Sequence, residues 1–134
     1  EESPEVIDHF RANGLHNISL VTPTTPAERV RRIVRSAGGF VYCVSRAGVT
    51  GAQERIEAGA GEVLKRARSS TDLPLALGFG ISTPRQAAEA AKLADAVVVG
   101  SAIVSRLHEE GDSAAGRKRA VAWIKTLIDA VKEG

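Results

Sequence analysis

No methionine occurs anywhere in this chain. Natural chains begin with Met unless processed, so a first residue Glu1 just ahead of a helix-start signal gives the expectation of an internal segment of a longer protein or an engineered chain. The single cysteine, Cys43, excludes an internal disulfide and agrees with a reducing compartment. A dominant charge is missing too. Lys+Arg 18 against Asp+Glu 16 leaves +2, too small and dispersed to argue for nucleic acid or an anionic membrane as a partner. No run approaches the roughly 20 apolar residues of a membrane span, and the acidic start is unlike a signal peptide. Low-complexity segments are absent, and His9, His16 and His108 are too scattered for a metal site. With 43% hydrophobic residues in 134, the expectation is one domain over residues 1–134, soluble and cytoplasmic, with a real core.

What is present is an alternation of short apolar runs and helical patterns. Ser3-Pro4-Glu5 reads as an N-cap followed by Pro in the first turn, with Val6, Ile7 and Phe10 on one face and a stop near Asn13-Gly14. Ile18 to Val21 is a first strand, closed by Thr22-Pro23. Thr25-Pro26-Ala27-Glu28 matches a capping box, and Val30, Ile33, Val34 and Ala37 give that helix its buried stripe before Gly38-Gly39. Phe40 to Val44 is apolar throughout, as in a strand covered on both faces. A polar loop from Arg46 to Gln53 leads to a helix with Val63, Leu64 and Ala67 inward, then a third strand at Leu75-Ala76-Leu77. Thr83-Pro84-Arg85-Gln86 repeats the capping logic. Ala96 to Val99 is a fourth strand, Gly100-Ser101 opens a short helix, and a Gly111 to Ser113 turn precedes a last helix carrying Val121, Ile124, Leu127, Ile128 and Val131. The class is α/β. Four buried strands alternating with helices imply a parallel sheet, either doubly wound or part of a barrel, and periodicity does not choose between them.

Chemistry concentrates at strand ends. Thr50-Gly51, Gly78-Phe79-Gly80 and Gly100-Ser101 follow successive strands, and glycine lets the backbone approach a ligand closely. Unpaired N–H groups at a helix N-terminus attract an oxyanion, so such loops form a phosphate cradle without any lysine. One such glycine means only a tight turn; two successive ones followed by a short extra helix favour the cradle. Cys43, between Tyr42 and Val44, reads as an inert small hydrophobe, Trp123 as packing, and Arg46 as either a ligand contact or a salt bridge.

The stretch Tyr42-Cys43-Val44-Ser45-Arg46-Ala47-Gly48-Val49-Thr50-Gly51-Ala52, then Gly78-Phe79-Gly80-Ile81-Ser82, then Gly100-Ser101-Ala102-Ile103-Val104, closely resembles the tryptophan synthase α subunit. Three motifs agree in order and spacing over almost the whole chain. The resemblance implies the second half of a TIM (βα)8 barrel, about strands five to eight: four strands with outer helices. It also implies a lyase segment, from enzymes that cleave indole-3-glycerol phosphate by a retro-aldol reaction into indole and glyceraldehyde 3-phosphate in tryptophan biosynthesis. By the same resemblance Gly51, Phe79, Gly80, Gly100 and Ser101 would hold the substrate phosphate. Tyr42 would stand near the reacting end, Thr50 would help close the site, and Leu20 would line the indole pocket. No cofactor is implied for this chain, since pyridoxal phosphate belongs to the partner β subunit.

The departure from the family is the acid–base pair. The resemblance places the catalytic glutamate and aspartate before Glu1, and general acid–base catalysis needs those groups within hydrogen-bond reach of the moving protons. Glu54, Asp72 and Asp95 read as surface or cap residues rather than replacements. Two expectations follow. The chain is either the α subunit's C-terminal portion, a lyase only with its N-terminal half, or a stand-alone half-barrel scaffold that binds phosphate without catalysis. Open strand edges would favour self-association in either case.

Overall fold

Pro4, whose fixed φ suits a first helical turn, opens α1 (Pro4–Ala12) in a computed structural model that describes residues 4–44, 58–78 and 80–134. The helix stops because Gly14 adopts φ 69°, with Gly14 N–H donating to the Arg11 carbonyl at 3.0 Å and Leu15 N–H to that of Phe10 at 2.9 Å. Its expected apolar face is only partly covered: Ile7 and Phe10 are half-buried, Val6 is exposed, and no residue of α1 is buried. The proposed cap, Ser3, lies outside the described residues.

The remaining elements alternate. They are β1 (Ser19–Val21), α2 (Ala27–Ser36), β2 (Val41–Val44), α3 (Ala58–Arg68), β3 (Leu75–Gly78), α4 (Pro84–Ala91), β4 (Ala96–Val98), α5 (Ser101–Glu110) and α6 (Ala114–Glu133). All strand pairs are parallel and the sheet order is β1-β2-β3-β4. A doubly wound sheet would reverse its strand order at a switch point, whereas a barrel adds each strand beside the last. This sheet follows the second pattern.

Register divides the side chains into two faces. Val21, Cys43, Leu77 and Val97 form one row, and Ser19, Val41 and Leu75 another, on the face where the helices pack. Val30 and Val34 of α2, Val63, Leu64 and Ala67 of α3, Ala87 and Ala90 of α4 and Leu127 of α6 complete that core. Burying a Leu or Val of this kind stabilises by about 1.5–3 kcal/mol. The opposite face carries Leu20, Tyr42, Ala76 and Ala96 in one row, and Val44, Gly78 and Val98 in the next. Coverage there is uneven. Among the described residues only β3 is a strand buried at every position; β2 is buried at alternate residues, which corrects the expectation of full cover on both faces.

Two local expectations divide. The Thr83 box forms: Gln86 N–H donates to Thr83 Oγ1 at 3.2 Å, and Thr83 N–H donates to Gln86 Oε1 at 3.2 Å. The Thr25 box does not. Thr25 Oγ1 accepts from Thr22 N–H at 3.1 Å and lies 2.9 Å from Thr22 Oγ1, closing the turn after β1, so α2 starts from Pro26 with no side-chain cap. The buried stripe of α6 also differs. Gly116, Ala120 and Leu127 are buried while Val121 and Ile128 are exposed, because the small residues let the helix approach its neighbours.

Candidate phosphate-binding site

Gly78 pairs with Val98 across β3 and β4, so Gly80 and Gly100 each leave the sheet two residues beyond a paired position, on adjacent strands. Gly80 adopts φ 77°, where a Cβ would be strained. Gly100 is the N-cap of α5, with φ −114° and ψ −85°, and a Cβ built on it would meet nothing within 4 Å. Space in front of that backbone is open. The carbonyl of Gly100 accepts from Ile103 at 2.9 Å and Val104 at 3.2 Å, which begins the helical ladder. The amides of Ser101 and Ala102 precede it and have no acceptor within their own helix. Their partial positive charge, added to the helix dipole, is what an oxyanion seeks.

A pocket of about 350 Å³ joins the two turns. One wall is Gly80, Ile81 and Ser82; the other is the face of α5 from Ser101 to Glu109. Ile81 is buried and anchors its wall, and Ser82 N–H donates to Gln86 Oε1 at 2.9 Å, so the α4 capping group also fixes the turn. Among the described residues the lining contains one cation, Arg106, and one carboxylate, Glu109. They lie 3.9 Å apart.

Tyr42 sits directly over Gly78. A Cβ at Gly78 would fall 2.5 Å from Tyr42 Oη and 2.9 Å from Val98 Cβ, so glycine here makes room for the tyrosine ring beside the Gly80 turn. Leu20 pairs with Tyr42 and is 57% exposed on the same open face. Thr50, Gly51 and Phe79 lie outside the described residues, as do Arg46 and Glu54. Of the expected site residues, the fold therefore brings Gly80, Gly100 and Ser101 to one place and sets Tyr42 next to it, with Leu20 farther out on the strand face.

Other singled-out residues belong elsewhere. Asp95 accepts from Leu75 N–H at 2.8 Å and is paired with Arg68, at the strand ends opposite the cradle. The Leu75 amide first, and then the Arg68 guanidinium, hold its carboxyl below the usual carboxylate range. Asp72 is exposed. Burial pushes the Cys43 thiol up to about 11. Among the described residues no group of three or more His, Cys, Asp or Glu gathers to hold a metal, and no helix is long and apolar enough to cross a membrane. A cluster built on Arg106, Glu110 and Trp123 escaped sequence reasoning, because its nearest visible sign is an ordinary i,i+4 charge pair.

Sequential parallel strands with glycine turns at the ends of the last two define a segment of a (βα)8 barrel. The family model of the tryptophan synthase alpha chain matches residues 1–132, and the chain belongs to that family. The tryptophan synthase alpha chain of Opitutus terrae is 44% identical over 134 residues, covering 89% of this chain and 50% of the relative. That of Chloroflexus aggregans is 42% identical over 132 residues, with 98% and 49% covered. A solved Mycobacterium tuberculosis tryptophan synthase superposes with TM-score 0.83 at 34% identity, over 99% of this chain and 48% of that one. The alpha chain from Legionella pneumophila gives 0.77 at 30% identity, over 98% and 48%. The chain thus spans about half the length of the relatives it matches. The family's alpha chain needs no cofactor of its own, pyridoxal phosphate being held by the β subunit.

Proposed function

We propose that this chain supplies the phosphate-holding half of an indole-3-glycerol phosphate lyase site. The observation that carries the reading is that Gly80 and Ser101, the residue after the Gly100 N-cap, line one pocket beyond adjacent strand ends. In this reading Gly80, Gly100 and Ser101 hold the phosphate, joined by Gly51 and Phe79, and the free amide of Ala102 adds to the Ser101 amide at the start of α5. Tyr42 stands near the reacting end, Leu20 lines the indole pocket, and Thr50 helps close the site. Retro-aldol cleavage breaks the carbon–carbon bond between the indole ring and the glycerol phosphate chain. It needs a base to take a proton from the substrate and an acid to protonate the indole carbon that leaves. Glu109, the one carboxylate lining the described pocket, pairs with Arg106 on the outer helix and is not disposed for either role.

Binding without turnover is therefore expected of the chain alone. Mixing it with the N-terminal half of a family member and assaying indole release tests the reading. Indole from the mixture but from neither half alone supports it; indole from this chain alone overturns the division of roles. The β subunit is the proposed partner of the assembled protein, in the cytoplasm.

A second reading rests on a different observation. Among the described residues β1 and β4 pair on one side only, and Leu20 and Ala96 are exposed on the open face. Parallel sheets are ordinarily covered on both faces, and bare edges invite pairing. In isolation the chain then self-associates as a half barrel that binds phosphate without catalysis. Sedimentation as a dimer or larger species supports this; a compact monomer at micromolar concentration counts against it.

A further inference from the structure

The helix that carries half of the cradle has no buried residue. In α5 Val104 is 67% and Leu107 45% exposed, and Ile103 is only partly buried against the core. A ten-residue helix without a buried face is marginal by itself, so something else must fix where its first amides stand. The other end provides it. Glu110, the last residue of α5, has a side chain only 12% exposed, is ion-paired with Arg106 Nη2 at 3.0 Å and accepts from Arg119 Nε of α6 at 2.6 Å. The Arg106 guanidinium also lies over the Trp123 ring, 5.9 Å from its centroid.

The backbone reinforces this grip. Gly111 turns the chain at φ 68°, and Ser113 caps α6 by accepting from Gly116 N–H at 2.9 Å. Gly116 is buried so close to the Glu110 carbonyl that any Cβ there would collide with it. Because α6 is seated on the core through Leu127, the last turn of α5 is tied to a firmly placed helix. Arg106 shares the pocket with Gly80 and Ser101, is ion-paired with Glu110 at 3.0 Å and lies 3.9 Å from Glu109, while its buried Nε has no hydrogen-bond partner among the described residues. The pairing with Glu110 makes it a brace for α5.

We propose that the Arg106–Glu110–Arg119 cluster is a positioning device for the anion cradle: it fixes α5 against α6 and so sets the Ser101 and Ala102 amides relative to Gly80. Glu110 and Ser101 stand about 13.5 Å apart along the helix axis, so the effect travels through the rigid helix. The inference rests on the anion-binding reading of the site, and its test separates the two.

Amide hydrogen exchange and titration with inorganic phosphate are measured on the whole chain and on Glu110→Gln. The expected result is exchange about tenfold faster at Ile103 and Val104, unchanged exchange at Leu77, and a phosphate Kd about tenfold higher, the scale of one lost charge-assisted hydrogen bond. Arg119→Gln, at a more exposed side chain, repeats the effect if Glu110→Gln does not fold, and Arg119→Lys restores much of the binding. Unchanged exchange and Kd in the folded variants overturn the proposal, and so does an equal acceleration across β3 and α4, which marks general destabilisation. If the unsubstituted chain binds no phosphate, the anion reading fails; faster exchange confined to Ile103 and Val104 still supports the clamp, and its absence overturns it.

Discussion

Alanine at position 78 is the sharpest perturbation of the strand face beside the cradle. Its Cβ would lie 2.5 Å from Tyr42 Oη, 3.0 Å from Tyr42 Cζ and 2.9 Å from Val98 Cβ. The tyrosine tip can swing away, at the expense of its packing. Val98 cannot, because its Cβ is fixed to β4 by the Gly78–Val98 pairing. Overpacking of this kind costs about 1–3 kcal/mol. Alanine recovers part of that by restricting the unfolded chain, about 0.4–1 kcal/mol. The net expectation for Gly78→Ala is a destabilisation of about 1–2 kcal/mol, read as a lower urea midpoint at unchanged slope. Repeating the substitution in a Tyr42→Ala background removes the ring and leaves only the Val98 contact, so the penalty falls. Gly78→Ala as stable as the parent, or a penalty identical in both backgrounds, would refute the reasoning.

Three further outcomes follow from the same geometry. The Asp95 carboxyl titrates below its ordinary 3.8, so its contribution to stability is present above that value and lost as pH falls through the lower, folded one. The stability difference between the parent and Asp95→Asn should therefore hold steady above about pH 5 and shrink in acid; a difference that grows in acid is the opposite sign. Cys43, fully buried with its thiol pushed up to about 11, should alkylate at pH 8 only as fast as the chain opens, so that denaturant accelerates the reaction; prompt alkylation of the native chain contradicts its placement. Thr83→Ala removes the acceptor for Gln86 N–H and should cost about 1 kcal/mol, whereas Thr25→Ala should leave the α2 amides untouched because Thr25 does not cap them. Denaturation of the two variants, with exchange at α2, separates these cases.

The sequence disclosed what depends on neighbours along the chain. Strand runs at Val41–Val44 and Leu75–Gly78 and the Thr83 capping box appear where patterning puts them, within a residue or so at the ends. What it withheld depends on neighbours across space. Thr25 and Glu28 satisfy a capping pattern as well as Thr83 and Gln86 do, but Thr22 stands near enough to engage the Thr25 hydroxyl first. On α6 the hydrophobic pattern selects Val121 and Ile128, while the close packing is made by Gly116 and Ala120, whose small size carries little hydropathy signal. The positive φ at Gly80 and the N-cap at Gly100 fall where glycine was read in the chain, because backbone geometry is written locally. The tie from Glu110 to Arg119 was invisible, since nothing along the chain says which helix will face α5.

The central claim is that the two glycine turns form one anion site. Its most direct test is titration of the 15N-labelled chain with inorganic phosphate, following every backbone amide. Saturating shifts concentrated at Gly80, Ser101 and Ala102, with weaker ones along the pocket wall at Ile81 and Ser82, are the expected result. Shifts scattered over the surface, or confined to another part of the chain, would contradict it.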